Sequence, residues 1–217
     1  PVFIPGPTNI PENLRKACDM PTIDHRSPLF GQILHPARAG VQKVLKSTSA
    51  EVFIFPSTGT GGWETALTNT LSAGDTVLAA RNGMFSQRWI DMCQRHGLNV
   101  TVVETPWGQG VPADRYTEIL AADTGHQIKA VLATHNETAT GVRSDIGAVR
   151  GALDAAGHPA MLFVDGVSSI GSMEFRFDDW GVDVAVTGSQ KGFMLPAGLG
   201  IVGFSAKAME ATKSARL

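Results

Sequence analysis

Cysteine is scarce here, and the two present, Cys18 and Cys93, stand far apart and outside any CxxC arrangement. A disulfide framework and a zinc knuckle are therefore without support, and both thiols read as reduced. The six histidines show no HExxH or His-x-His spacing, which leaves a metal site equally unsupported. Neither sign of charge is in excess: 18 Lys and Arg stand against 20 Asp and Glu, for a formal net charge of -2. Without a basic stripe, nucleic acid is not an expected partner, although a local cationic pocket for a small anion stays open. No hydrophobic run approaches a bilayer span and no basic leader precedes the short apolar run at the amino terminus, so no membrane partner is expected and the default location is cytoplasmic. Internal repeats and low-complexity tracts are missing as well.

What is present is an ordinary globular composition, 43% hydrophobic and 18% charged over 217 residues, enough for one large core or two small ones. Proline crowds the first 28 residues (Pro1, Pro5, Pro7, Pro11, Pro21, Pro28), which read as an arm with a helical turn near 12–17. Residues 29–217 read as one domain. Apolar residues at helical spacing span 29–45, with Pro36 placed to kink that helix, and Val52-Phe53-Ile54-Phe55 reads as a buried strand. Beyond it strand candidates at 76–80, 99–103, 129–134, 161–165, 182–187 and 199–204 alternate with helix candidates at 65–71, 85–96, 114–122 and from a Ser144 cap to 156. This order predicts an α/β fold with a mainly parallel sheet flanked by helices.

In such sheets ligands bind beyond the carboxyl ends of the strands, and several chemically distinctive residues fall there. After the first strand comes Ser57-Thr58-Gly59-Thr60-Gly61-Gly62-Trp63-Glu64; after the second, Phe85; Asp165 ends its strand; and Thr187-Gly188-Ser189-Gln190-Lys191-Gly192 closes another. The Gly/Thr turn matches neither GxGxxG nor GxxxxGK[ST]. On its own it fits a plain strand-to-helix connection as well as a phosphate cradle, just as Phe85 fits a core position and Lys191 a solvated one. Together they match what pyridoxal phosphate requires: amides and hydroxyls for the phosphate (Thr60, Gly61, Gly62), an amine for the aldehyde (Lys191), a carboxylate for the pyridine nitrogen (Asp165) and an aromatic face for the ring (Phe85).

Asp165-Gly166-Val167-Ser168-Ser169-Ile170-Gly171 followed by Gly188-Ser189-Gln190-Lys191-Gly192 resembles the signature of class V, fold-type I pyridoxal-phosphate aminotransferases. Pro5-Gly6-Pro7-Thr8-Asn9, Asp24-His25-Arg26-Ser27, the 57–64 turn and His135-Asn136-Glu137-Thr138-Ala139-Thr140-Gly141 resemble, more narrowly, the serine–glyoxylate and alanine–glyoxylate aminotransferase group, including its aspartate–glyoxylate members. The resemblance implies Lys191 as Schiff-base lysine, Asp165 as partner of the pyridine nitrogen and Phe85 as a smaller stacking ring where relatives often carry Trp. It also implies Thr138 beside the cofactor's phenolic oxygen, Gln190 as a phosphate contact and Gly6 and Pro7 near the substrate. The activity implied is ping-pong transfer of an amino group from serine, or aspartate as a close second, to glyoxylate, by a homodimer acting on small amino acids and 2-oxo acids. A smaller carboxy-terminal domain found in relatives is expected to lie outside this sequence. Other class V lyases such as desulfurases, and a non-catalytic module retaining the fold, are the alternatives; desulfurases use a cysteine on a mobile loop, and neither cysteine has that context.

Overall fold

Runs of apolar residues bounded by turn formers become the strands of one sheet. The computed structural model describes residues 3–217. Its strands are β1 (Glu51–Pro56), β2 (Thr76–Arg81), β3 (Asn99–Glu104), β4 (Ile128–Thr134), the short β5 (Asn136–Glu137) and β6 (Val142–Arg143), β7 (Met161–Asp165), β8 (Val184–Gly188) and β9 (Leu199–Phe204). The helices are α1 (Glu12–Cys18), α2 (Pro28–Val44), α3 (Gly59–Thr70), α4 (Met84–Arg95), α5 (Ala113–Ala122), α6 (Ile146–Ala155) and α7 (Ala206–Ala211). The main sheet has the order β1-β9-β8-β7-β4-β2-β3, and β5 and β6 form a separate hairpin. Pairs β2/β3, β2/β4, β4/β7 and β7/β8 are parallel, whereas β9 runs antiparallel to both β1 and β8. The expected mainly parallel, helix-flanked sheet is thus present, with one reversed strand.

Strand alternation divides the core between the two faces of this sheet. Leu78, Val131, Leu162 and Val164 face Tyr116 and Leu120 of α5 and Ile146, Val149 and Leu153 of α6. Val77, Leu132, Phe163 and Val184 face Trp63 and Leu67 of α3 and Trp89 and Ile90 of α4. Because both faces are covered, all five residues of β7 and of β8 are buried. Each fully buried Leu or Phe removed from water contributes roughly 1.5–3 kcal/mol, so the central strands, whose ends carry the polar residues, are anchored by apolar burial on both faces.

Several boundaries differ from those the sequence suggests, each for a local reason. Helix α3 begins at Gly59 rather than at Thr65, because the Thr58 hydroxyl accepts from the Gly61 amide and starts the helix within the glycine-rich turn. The cap of α6 is Asp145, whose carboxylate accepts from Ala148 N at 3.0 Å. Ser144, the expected cap, instead accepts from Val111 N at 3.1 Å and ties the preceding loop down. Helix α2 continues through Pro36, which lies on its exposed side, after a start at Ser27 with Pro28 in the first helical position. The β5–β6 hairpin has strands too short to show periodicity in sequence.

Candidate cofactor site

The carboxyl ends of β7 and β8 lie side by side in parallel register, Asp165 opposite Val186, and this brings the acid and the lysine loop together. Lys191 sits in the turn between β8 and β9. That turn is held by Ser189, which is fully buried: its hydroxyl donates to Pro196 O at 2.6 Å and accepts from Leu199 N at 3.2 Å. The loop after Asp165 packs on the lysine turn with no space for side chains. A Cβ at Gly192 would lie 2.3 Å from Ile170 O, and Gly171, at φ +85°, has Gly192 C at 3.0 Å from its Cβ position. The two sequence motifs that stand apart in the chain are therefore one packed unit.

Burial perturbs both titratable groups. Asp165 is 4% exposed, and desolvation pushes its carboxyl up to about 7, although Val167 N donates to Oδ1 at 3.0 Å. The Trp63 indole N–H is near enough to favour the ionised form but completes no hydrogen bond, the negative charge of Glu137 pushes the value further up, and the Lys191 cation opposes it. Lys191 is held below the ordinary lysine range by partial burial, with Asp165 working the other way. A lysine with a lowered pKa keeps more of its amine neutral and nucleophilic.

The Gly/Thr turn abuts the same strand ends. A Cβ placed on Gly188 would come within 3.0 Å of Gln190 Oε1 and 3.5 Å of Gly59 N, so the start of α3, the end of β8 and Gln190 converge. Within the turn the roles divide. The Gly61 amide is used by Thr58 Oγ1 at 3.3 Å and the Gly62 amide by Thr58 O at 2.9 Å, whereas Gly59 and Thr60 occupy the first turn, where no helical carbonyl precedes them. Gly62 serves packing, since a Cβ there would meet Val186 Cγ1 at 2.5 Å. Amide donors for an anion thus come from Gly59, which the sequence did not single out, and Thr60. One buried polar atom at this junction, Gln190 Oε1, has no hydrogen-bond partner among the described residues, and Thr187 Oγ1, likewise without one, lies on the other face of β8, with Ala185 and Ile201.

Phe85 lies half-buried in the first turn of α4, with the Arg88 guanidinium 5.3 Å from its ring centroid. Thr138 is half-buried in the β5–β6 turn. The amino-terminal arm crosses the lysine turn. Thr8 N donates to Gln190 O at 3.1 Å, and the Lys191 amine donates to Pro5 O at 2.8 Å. Gly6, at φ +124°, leaves no room for a side chain, because a Cβ would sit 2.7 Å from Lys191 Nζ. Gly6 and its neighbour Pro7 are thus placed beside the lysine. Neither cysteine joins the site: Cys93 is buried in α4, its thiol pushed up to about 12 by desolvation, and Cys18 is exposed on α1.

The class-V aminotransferase family model matches residues 16–216. This chain belongs to the class-V aminotransferases. It is 80% identical over 217 residues to an L-aspartate–glyoxylate aminotransferase of Paracoccus denitrificans, matching 100% of this chain and 55% of that protein. It is 57% identical to a serine–glyoxylate aminotransferase of Hyphomicrobium methylovorum over 98% of this chain and 53% of that protein. Among solved structures, an alanine–glyoxylate aminotransferase from Nostoc sp. superposes with a TM-score of 0.89 at 28% identity, covering 99% of this chain and 55% of that one. The chain spans about half the length of these relatives.

Class-V aminotransferases are pyridoxal-phosphate enzymes, and the residues present fit that cofactor. First-turn amides at Gly59 and Thr60 are donors that an incoming phosphate would satisfy, and the Gln190 side chain beside them could reach it through its Nε2. The buried, unneutralised acid at Asp165 suits a pyridinium N–H, and the amine of Lys191, lowered in pKa, suits an aldehyde.

Proposed function

We propose that this chain forms the cofactor-binding part of a glyoxylate aminotransferase with aspartate or serine as amino donor, working by a ping-pong cycle as a cytoplasmic homodimer. Residues 29–217 are taken as its large domain and the preceding 28 as an arm. The observation that carries the reading is the pairing of a buried acid and a lysine of lowered pKa on adjacent strand ends. The 80% identity to an aspartate–glyoxylate enzyme favours aspartate over serine as the donor.

Bound pyridoxal phosphate would supply an aldehyde and an electron-withdrawing ring that acidifies the Cα–H of an attached amino acid. Gly59, Thr60 and Gln190 would hold its phosphate, and Phe85 would cover its ring. Asp165 would keep the ring nitrogen protonated, and that cation in turn would stabilise the buried carboxylate. Thr138 would contact the phenolic oxygen. Lys191 would anchor the aldehyde and, once released by the incoming amino group, move a proton from Cα with its neutral amine. Gly6 and Pro7 would shape the wall beside that amine.

The test uses the full-length protein. A visible absorbance band that borohydride abolishes, with the reduced cofactor attached to Lys191 by peptide mass, is expected, and Lys191→Ala should lose both. Glycine formation from glyoxylate with aspartate, serine and alanine then ranks the donors. Absence of the band, or its survival in Lys191→Ala, rejects the cofactor assignment; absence of glycine with every donor rejects the reaction.

A further inference from the structure

Glu137 is a charged side chain with no exposure at all. Its described hydrogen-bond partners are backbone amides. Oε2 accepts from Phe85 N at 3.1 Å and Ser86 N at 3.0 Å, while Oε1 accepts from Ala139 N at 3.0 Å and, more weakly, from Phe85 N at 3.3 Å. Two of these donors belong to the first turn of α4, where amides otherwise lack partners and the helix dipole favours a negative charge. The residue at the cap position is Gly83, which has no side chain to offer, and its missing Cβ is what makes room: a Cβ there would lie 2.3 Å from Glu137 Cγ and 2.4 Å from Cδ. The cap of α4 is therefore delivered from a segment about fifty residues further along the chain, at the end of a different strand.

The geometry assigns Glu137 as a positioning residue that braces Phe85 and Thr138, the ring and hydroxyl on the two sides of the cofactor site, against each other. One carboxylate oxygen fixes the backbone of Phe85 and the other that of Ala139, the residue after Thr138. Local structure secures each only in part: the Ser86 hydroxyl accepts from Gly83 N at 3.0 Å but leaves the first-turn amides of Phe85 and Ser86 to Glu137, and the β5–β6 hairpin has two-residue strands. The same carboxylate lies close enough to Asp165 for its charge to act on that acid.

This inference rests on the cofactor reading above, and the experiment separates the two. Glu137→Gln is the informative variant, because both carboxylate oxygens are acceptors here. An amide satisfies one side only and turns an N–H donor toward the other. In the full-length protein, pyridoxal phosphate affinity is measured by titration of the apo form for wild type, Glu137→Gln, Phe85→Ala and the double variant, with far-UV circular dichroism confirming the fold. Glu137→Gln should weaken retention by about tenfold or more, and this loss should be several-fold smaller in the Phe85→Ala background, where only the part acting through Thr138 is left. Equal losses in both backgrounds, or none in either, overturn the assignment. If Glu137→Gln does not fold, Gly83→Ala, which displaces the same carboxylate sterically, is put through the same cycle and judged by the same outcomes. Wild-type protein that fails to take up the cofactor at Lys191 overturns the cofactor reading and this one with it, whereas additive losses overturn this one alone.

Discussion

Replacing Asp165 with Asn should stabilise the cofactor-free protein. The carboxyl is 4% exposed and titrates at about 7 instead of 3.8. A raised folded-state value means that the folded protein holds its proton more tightly than the unfolded chain, so stability is undiminished below pH 3.8 and declines as pH rises toward 7. Integrated over that interval, the ionised acid costs the folded state about 4 kcal/mol at pH 8. Asn keeps the acceptor that Val167 N uses and removes the charge. Urea unfolding of the full-length apoprotein and the Asp165→Asn variant, at intervals from pH 4.5 to pH 8, gives the difference directly. The variant should gain stability steadily with pH over this range, by a few kcal/mol at its top, and should bind pyridoxal phosphate poorly. With cofactor present the gap should close or reverse, since the protonated ring nitrogen offsets the carboxylate in the wild type. A variant that is destabilised, or whose advantage does not change with pH, would refute the idea that this acid is buried at a cost awaiting a cationic partner.

His135 carries the opposite dependence. It is 2% exposed, its Nδ1 lies 2.9 Å from Ser169 Oγ, and desolvation lowers its value to about 4, so its contribution is present above pH 6.5 and lost as pH falls toward 4. His135→Gln should remove up to roughly 3 kcal/mol of acid sensitivity, read as a smaller drop in urea midpoint between pH 7 and pH 4; an unchanged drop rejects it. Gly62→Ala places a methyl 2.5 Å from Val186 Cγ1. The clash outweighs the roughly 1 kcal/mol of helix propensity gained, leaving a net loss on the order of 1 kcal/mol that Val186→Ala should recover in the double variant. Additive losses from the two changes would place the strain elsewhere.

The central strands were legible because they are short apolar runs between glycines, prolines and polar residues, as at 161–165, and burial on both faces demands that composition. That Lys191 and Asp165 lie near each other was legible because both follow or end strands at the same edge of the sheet. The position of Gly59 at the start of α3, the engaged amides of Gly61 and Gly62, and the partners of Glu137 were not. They depend on which amide a neighbouring hydroxyl or carboxylate occupies, and no periodicity reports that. The Asp145 cap was missed for a similar reason: Ser144 is an equally good candidate in sequence, and only its bond to Val111 N across thirty-three residues takes it out of contention. The reversed direction of β9 was also hidden, because a strand's composition carries no sign of its polarity.

That reversal has a mechanical meaning for the lysine. Had β8 been followed by another parallel strand, its loop would have led into a crossover of a dozen or more residues, free to shift as a body. Instead β8 returns to its antiparallel neighbour through residues 189–198, the ladder clamps both limbs, Val186 to Val202 and Gly188 to Gly200, and Ser189 ties the base of the loop to Pro196 O and Leu199 N. Lys191 rides on a loop pinned at its base by Ser189 and crossed by the Thr8 amide on Gln190 O, so its backbone is held at both sides, and reorientation of its amine falls to the side chain and to the arm whose Pro5 carbonyl holds it. Insertions near 188–200 should be tolerated far less well than insertions of the same length in the loops outside the sheet's centre.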